Sequence, residues 1–455
     1  MNSEQKICSK SDILSFFYNA PVPNKELLIG IEIERSAVFS ENLKPVSYLG
    51  DNGYLAILKK LVTESGWIIL SKDQDGNISA LKRGESEIHI EDDGRLELVS
   101  KPQTTLSSLS REFQMHLHEI NETSKAFGIR WIAIGRKPFA TNKEIIFSYP
   151  KNNKEEHDHY QKYYPEWSKK EVTGFEKKND GIHVNFGYTS EKDAIEKFQT
   201  LLKVSPILMG MFANSPFNSK KFSGFLTKRN HSNSQCCPPR TQIQEIFFTE
   251  DFSFEKWVDY LLQLPMSKIT RKGKRIFIPL TFDDYLKNGF KKHRPRMEDF
   301  YLHIKSVFSE MRIKHYLEYR GFDMVPPHLL PSVPAIIHAI TMNSEVMQKC
   351  QNLVKNWTFA DQLEMRERVY KDALQAKIPQ GGKVLDLAKE LLEIASTALK
   401  EKYKNKHGAS NPSRFLWPIK EYVFIREQSP AEYIMEMWNG EWHRDPRKLI
   451  EWSEK

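Results

Sequence analysis

Three short runs put carboxylates where alternation of apolar and polar residues predicts strands: Gly30-Ile31-Glu32-Ile33-Glu34, Arg95-Leu96-Glu97-Leu98 and Tyr316-Leu317-Glu318-Tyr319-Arg320. Side chains at i and i+2 share one face of a strand. Glu32 with Glu34, Arg95 with Glu97, and Glu318 with Arg320 would therefore each line one side, while the alternate residues pack on a core. Gly181-Ile182-His183-Val184-Asn185-Phe186 follows the same pattern. Carboxylates that converge on one face repel each other unless cations sit between them. Hard oxygen ligands of this kind suit Mg2+, with phosphate oxygens completing its shell. A face bearing Glu32, Glu34, Glu91, Glu97 and Glu318 could hold two or more Mg2+ ions against the phosphates of ATP. Phosphoryl transfer is catalysed mainly by positioning and charge neutralisation, which carboxylate-bound metals and basic side chains supply. No GxxxxGK[ST] string and no protein-kinase signature set occurs, so phosphates would be cradled through metals rather than a glycine-rich loop.

Blander readings compete with this one. A single strand with two glutamates on one face is commonly a solvated edge. His183 alone fits a hydrogen-bonded structural histidine, and Arg229, Arg240 and Arg320 could each be ordinary surface ion pairs. The His157-Asp158-His159 cluster sits in a polar stretch without a second ligand group at helical spacing.

The elements that must position these residues follow from pattern. Leu28 to Phe39, Trp67 to Lys72, Asn77 to Leu81, Glu87 to Ile90, Arg95 to Leu98, Trp131 to Ile134 and Gly181 to Phe186 read as strands, with Asp92-Asp93-Gly94 as a hairpin turn. Tyr54 to Ser65, Thr105 to Phe127, Glu191 to Leu202 and Ser205 to Phe212 read as helices. Lys151 to Glu171 reads as a long loop or a lid, and Asn218 to Arg240 as a loop. The last third is helical: Thr358 caps Phe359 to Leu374, Asp386 to Lys402 is amphipathic, and Ser429-Pro430-Ala431-Glu432 is a capping box with Pro at the first position. The charged strands are spread from Glu32 to Arg320, so one site would draw on most of the chain. That predicts a single catalytic domain over residues 1–455 with a helical C-terminal part.

The chain has 455 residues, 40% of them hydrophobic, enough for a sizeable core. The net charge of +8 fits a lysine-rich surface or attraction of anionic ligands such as nucleotide phosphates. No compact basic arm with interleaved aromatics points to nucleic acid. Four cysteines make no disulfide framework, no apolar leader opens the chain and no stretch reaches transmembrane length, which predicts a cytoplasmic protein away from membranes. The adjacent Cys236-Cys237 pair is unusual but lacks CxxC spacing.

Several strings resemble the plant and proteobacterial type of glutamate–cysteine ligase: Gly30-Ile31-Glu32-Ile33-Glu34-Arg35, Glu91 through Leu98, Met211-Phe212-Ala213-Asn214-Ser215-Pro216-Phe217, Val258-Asp259-Tyr260 with Pro265-Met266, and Phe308-Ser309-Glu310-Met311-Arg312 leading to Tyr316-Leu317-Glu318-Tyr319-Arg320-Gly321. The resemblance runs from about Leu28 to Asp323. It implies an α+β, glutamine-synthetase-like fold, in which a curved, mainly antiparallel sheet forms a funnel-shaped active site with helices outside. It implies activation of the glutamate γ-carboxylate by Mg-ATP to a γ-glutamyl phosphate, which an amine, cysteine in the type members, converts to an amide on the way to glutathione. By the same resemblance Glu32, Glu34, Glu91, Glu97 and Glu318 would hold Mg2+, and Arg320 with Glu318 would be catalytic. Arg229, His183, Asn185 and Arg240 would meet substrate or ATP, and the protein would act as a monomer or homodimer. His183 stands where the family motif carries Gln. Glu91-Asp92-Asp93-Gly94-Arg95 replaces the common Glu-Pro-Gly-Gly-Gln, and the loop from His231 to Arg240 is also divergent. Another amino acid or small amine is therefore the competing acceptor. An inactive nucleotide-binding relative and a basic interaction protein are the competing functions. The five glutamates argue against a binding-only protein, which has little use for mutually repelling carboxylates.

Overall fold

Alternating residues from Ile29 to Phe39 form β1, the centre of a nine-stranded sheet. The computed structural model describes residues 5–23, 27–91, 94–141, 155, 158, 159, 162, 163, 165, 178–403 and 411–454. The remaining strands of this sheet are β2 (Ile68–Lys72), β3 (Ile78–Arg83), β4 (Ser86–Ile90), β5 (Leu96–Val99), β6 (Ile129–Ile132), β7 (Gly181–Phe186), β8 (Met311–Ile313) and β9 (Leu317–Asp323). Their order is β8-β9-β7-β1-β5-β4-β3-β2, and β6 pairs with the far half of β1. Every pairing is antiparallel, so the mainly antiparallel α+β fold expected from the sequence is present.

One face of the sheet is apolar. Ile31 and Ile33 of β1, Leu96 and Leu98 of β5, Ile182 and Val184 of β7, and Leu317 and Tyr319 of β9 are buried in one hydrophobic core. Each such side chain contributes roughly 1.5–3 kcal/mol when removed from water. Helices α1 (Tyr54–Glu64), α2 (Leu106–Lys125), α3 (Glu191–Met211) and, further on, Ser332–Ile340 cover this side. The same core extends to Val369, Leu391 and Leu399 of the C-terminal helices Phe359–Asp372 and Val384–Tyr403, so sheet and helical part share one interior. None of the described helices is long and apolar enough to cross a membrane.

Two ties fix the strands that carry glutamates. Thr105 caps α2 by accepting the N–H of Ser108. One turn on, the Glu112 carboxylate accepts hydrogen bonds from Ser86 Oγ at 2.6 Å, Lys101 N–H at 2.7 Å and Gln103 Nε2 at 2.6 Å, pinning the helix to both β4 and the end of β5. The second tie lies beyond the sheet. Glu191 to Met211 is one continuous helix with Pro206 inside it, where two helices, Glu191 to Leu202 and Ser205 to Phe212, were expected. Proline cannot donate to the carbonyl four residues back, and Leu202 O instead accepts from Arg366 Nη2 at 2.9 Å. Arg366 also forks onto Glu310 at 2.7 and 2.8 Å, next to β8.

The segment expected as a loop from Asn218 to Arg240 is largely structured. A two-residue hairpin (Phe217–Asn218 with Lys221–Phe222) precedes helix α4 (Lys228–Gln235) and a turn of helix at Pro238–Thr241. Helix α4 has no apolar periodicity for sequence reasoning to find. Distant contacts hold it: Asn230 Nδ2 donates to Gly321 O at 2.9 Å, and the Arg229 N–H to Ser215 Oγ at 3.1 Å. The Lys151 to Glu171 loop or lid falls mostly outside the described residues, as does His157; the few described positions there are helical.

Candidate active site

The second face of the sheet carries the charge. Residues directly opposite on antiparallel strands share a face. Glu34 of β1 is opposite Glu97 of β5, which is opposite His89 of β4. Glu32 is opposite His183 on one side and Val99 on the other, and Val99 faces Glu87. Glu318 of β9 is opposite Asn185 of β7. Because β1 pairs with β5 and β7, and β7 with β9, runs separated by more than 280 residues in sequence meet along one wall. That wall lines a cavity of about 530 Å3 containing Glu32, Glu34, Glu91, Glu97, His183, Arg229 and Arg320.

The cavity is sorted by charge. On one side are Glu32, Glu34, Glu91 and Glu97. Burial and the charges of Glu91, Glu32 and Glu34 push the Glu97 carboxyl well above the ordinary range, and Arg95 offsets only part of this. Glu34 fares differently: against burial, Arg95, His183, Arg229 and Arg320 hold its pKa down. Its two oxygens accept from Arg95 Nη2 at 3.0 Å and from the Gly181 N–H at 2.8 Å. Burial and Glu318 push Glu32 up, yet His183 and Lys314 bring it below its usual value. Burial and the nearby Arg320 lower the pKa of His183. Its Nδ1 lies 2.9 Å from Glu32 Oε2, and Asn185 Nδ2 donates to Glu32 Oε1 at 2.7 Å.

On the other side is a cluster of cations around Glu318, which is fully buried. Arg312 forks onto it at 2.6 and 2.9 Å, Lys314 Nζ lies 2.7 Å away, and Arg320 Nη1 bonds the same carboxylate. Against burial, these three cations hold its pKa well below the ordinary value. Arg229 enters from α4 and donates to Arg320 O at 3.2 Å. A Cβ at Gly181 would overlap the Arg229 guanidinium, so glycine at this point of β7 lets that guanidinium keep its place. Lys305, Tyr301, Phe308 and Tyr316 complete the basic wall.

Most residues expected at a site are thus brought together. Arg240 is not. Its guanidinium is buried away from the cavity and donates to Ser306 O at 2.9 Å, to Ser306 Oγ and to Pro265 O. The expected substrate contact is replaced by a clamp between chain segments. Asn185 stands one layer behind, against Glu32. Sequence reasoning missed Arg312, Lys314 and Lys305. The alternation Met311-Arg312-Ile313-Lys314 was the available signal for the first two; Lys305 ends a helix and left none.

Among the described residues two groups of side chains could hold a metal ion: Glu32, His183 and Glu318, and Glu34, Glu97 and His183, with ligand atoms within 4.8 Å of one another in each. Two buried atoms pointing to unused capacity are His183 Nε2 and Asn185 Oδ1, which have no hydrogen-bond partner among the described residues.

The sequence model of glutamate-cysteine ligase family 2 (GCS2) matches residues 28–451. The chain belongs to the glutamate–cysteine ligase family 2. It is 29% identical over 450 residues to the chloroplastic glutamate–cysteine ligase of Arabidopsis thaliana, covering 97% of this chain and 82% of that one. With glutamate–cysteine ligase B of Oryza sativa subsp. japonica it shares 27% identity over 442 residues, covering 96% and 85%. The crystal structure of a glutamate–cysteine ligase from Francisella tularensis in complex with AMP has the same fold at 14% identity, with a TM-score of 0.53, covering 95% of this chain and 88% of that one. Membership in this family makes the protein an ATP-dependent carboxylate–amine ligase.

Proposed function

We propose that this protein joins the γ-carboxylate of L-glutamate to the amine of cysteine at the expense of ATP, through a γ-glutamyl phosphate. The observation that carries this reading is the division of one cavity into an acidic wall and a basic wall. The reaction brings together two anions, a carboxylate and a triphosphate, and both walls have a part in making that encounter possible.

Glu32, Glu34, Glu97 and His183, with Glu91 at the rim, are the residues that would hold Mg2+. The fit rests on repelling carboxylates that lack enough protein cations and on an imidazole nitrogen without a partner. When bound, the metal neutralises phosphate charge and relieves the repulsion among the glutamates. The chain's own residues do the rest. An oxygen of the glutamate γ-carboxylate attacks the γ-phosphorus of ATP, and ADP leaves. Arg320, anchored by Glu318, supplies donors to the charge that builds on the transferring oxygens. Arg312 and Lys314 fix Glu318 and keep that side of the cavity positive. Arg229 adds a second guanidinium for an anionic substrate group. The acceptor nitrogen then attacks the acyl carbon and phosphate leaves. We place the protein in a reducing cytoplasm, in keeping with four cysteines that form no disulfide with one another.

Purified protein supplied with ATP, Mg2+, L-glutamate and a panel of amines is expected to release ADP and form γ-glutamylcysteine, identified by mass spectrometry. A γ-glutamyl product with a different amine would keep the ligase and replace the acceptor. ADP release that is independent of glutamate would end the proposal.

A further inference from the structure

Arg136 follows β6 and pairs across the backbone with Asn179, which leads into β7. Both side chains are buried, at 2% and 6% exposure. Arg136 Nη1 donates to Asn179 Oδ1 at 2.5 Å, and Asn179 Nδ2 donates in turn to Asn233 Oδ1 at 2.7 Å. Chemistry fixes the sense of this relay. A guanidinium only donates, so the Asn179 carbonyl oxygen must face Arg136 and its NH2 must face Asn233. Asn233 must then accept with its own carbonyl oxygen, which turns its NH2 away from Asn179. Asn233 lines the cavity, and among the described residues its NH2 has no acceptor within the protein. It stands one helical turn after Arg229 on α4, so the two side chains share a helix face. Amide and guanidinium therefore open on the same part of the cavity.

We propose that Asn233 is a specificity-determining residue, which with Arg229 receives the α-carboxylate of an amino-acid substrate, either glutamate or the acceptor. The guanidinium supplies the charge and the amide a directed donor, a combination that suits a planar carboxylate. One guanidinium beside a neutral amide carries a single positive charge, which matches a carboxylate better than a polyphosphate. Asn179 is a positioning residue that holds Asn233 with its donor outward, and Arg136 sets the sense of the relay. Without Arg136 the Asn179 amide could turn over, and Asn233 would then present an acceptor that repels a carboxylate. The substrate assignment rests on the ligase reading; the relay itself does not.

KM values for ATP, L-glutamate and L-cysteine are measured for full-length wild type, Asn233→Leu, Asn233→Asp and Asn179→Asp, with melting midpoints beside them. Asn233→Leu is expected to raise KM about tenfold for one amino acid and leave that for ATP in place, as loss of a hydrogen bond to a charged group predicts. The amino acid whose KM moves is the one bound. Asn233→Asp accepts the same bond from Asn179 but turns an anionic oxygen to the cavity, so it should raise that KM further. Asn179→Asp still accepts from Arg136 but cannot donate. Asn233 then turns its NH2 towards residue 179, and the same KM should rise without a fall in midpoint. Unchanged KM values in Asn233→Leu, or a rise confined to ATP, overturn the proposal. A rise for all three substrates with a lower midpoint is a structural effect and overturns it too. Wild-type KM values in Asn179→Asp overturn the relay. Wild type that releases no glutamate-dependent ADP removes the ligase reading and the assignment with it, whereas normal turnover with unmoved KM values removes the assignment alone.

Discussion

Two isosteric substitutions in this cavity, Glu318→Gln and Glu97→Gln, should abolish turnover alike and move stability in opposite directions. Glu318 is fully buried with three cations on its carboxylate, whose side chains are only 4–14% exposed. Removing one partner of a buried charge group leaves the others uncompensated, at a cost of about 3–5 kcal/mol. Unfolding entropy of about 2.1 cal/mol/K per residue, over 455 residues, is about 1 kcal/mol/K, so the midpoint should fall by about 3–5 °C. Glu97 is the opposite case. A carboxyl whose folded pKa is raised costs stability as pH climbs from its unfolded value of 4.5 towards the folded one. Glu97→Gln removes that cost, so the metal-free variant should melt higher than wild type at pH 7.5 and lose this advantage near pH 4. Added Mg2+ should raise the midpoint of wild type by mass action and leave Glu97→Gln unmoved. Differential scanning fluorimetry with and without Mg2+, beside an ADP-release assay, reads all of this. If both variants lose stability equally in metal-free buffer, the charge sorting is wrong. If Glu97→Gln keeps full ADP release, the acidic wall is not where the metal acts.

Three further outcomes test the supports of the site. Arg240→Met should lower the melting midpoint, since the carbonyls of Ser306 and Pro265 lose a buried donor at about 1–3 kcal/mol each; KM for ATP and glutamate should not change, and a raised KM at unaltered stability would return Arg240 to the substrate. Glu112 is held at about 2 although burial pushes it up, through hydrogen bonds with His116, Ser86, Gln103 and the Lys101 N–H. Its stabilising effect is therefore complete above the unfolded value of 4.5 and lost as pH falls towards 2; denaturant titrations of wild type and Glu112→Gln should differ at pH 7 and converge in acid. Arg366→Met leaves Leu202 O unsatisfied opposite Pro206 and frees the partly buried Glu310, so it should destabilise by about 3 kcal/mol in urea unfolding; an unchanged midpoint would show that Pro206 needs no such partner.

The strands and their inward glutamates were legible because period-two alternation is a local property. Ile31, Ile33, Leu96, Leu98, Leu317 and Tyr319 must all face one core, which forces Glu32, Glu34, Glu97 and Glu318 onto the other face whatever the topology. Their meeting was not local. It depends on β7 lying between β1 and β9, a pairing encoded in no single stretch. Helix α4 was missed because its sequence has no apolar stripe; hydrogen bonds to residues such as Gly321 hold it in place. Arg240 was misassigned because a buried arginine that clamps carbonyls and one that binds an anion look the same in sequence. The difference lies in what surrounds the guanidinium.

Arg312 of β8 and Lys314 just after it change the meaning of the whole constellation. Carboxylates alone would make a cation trap, and an ATP phosphate would approach it only behind enough metal to reverse its sign. Arg312 and Lys314 remove Glu318 from that trap by satisfying its oxygens within the protein. What remains acidic is the β1–β5 wall, where Glu97 is the group least compensated by its neighbours. On the proposed reading the cavity would offer cation sites on one side and anion sites on the other, which suits a reaction that must hold metal, phosphate and carboxylate at once. A protein built only to bind a nucleotide gains nothing from the acidic wall. One built only to bind divalent ions gains nothing from three cations arrayed on a buried glutamate.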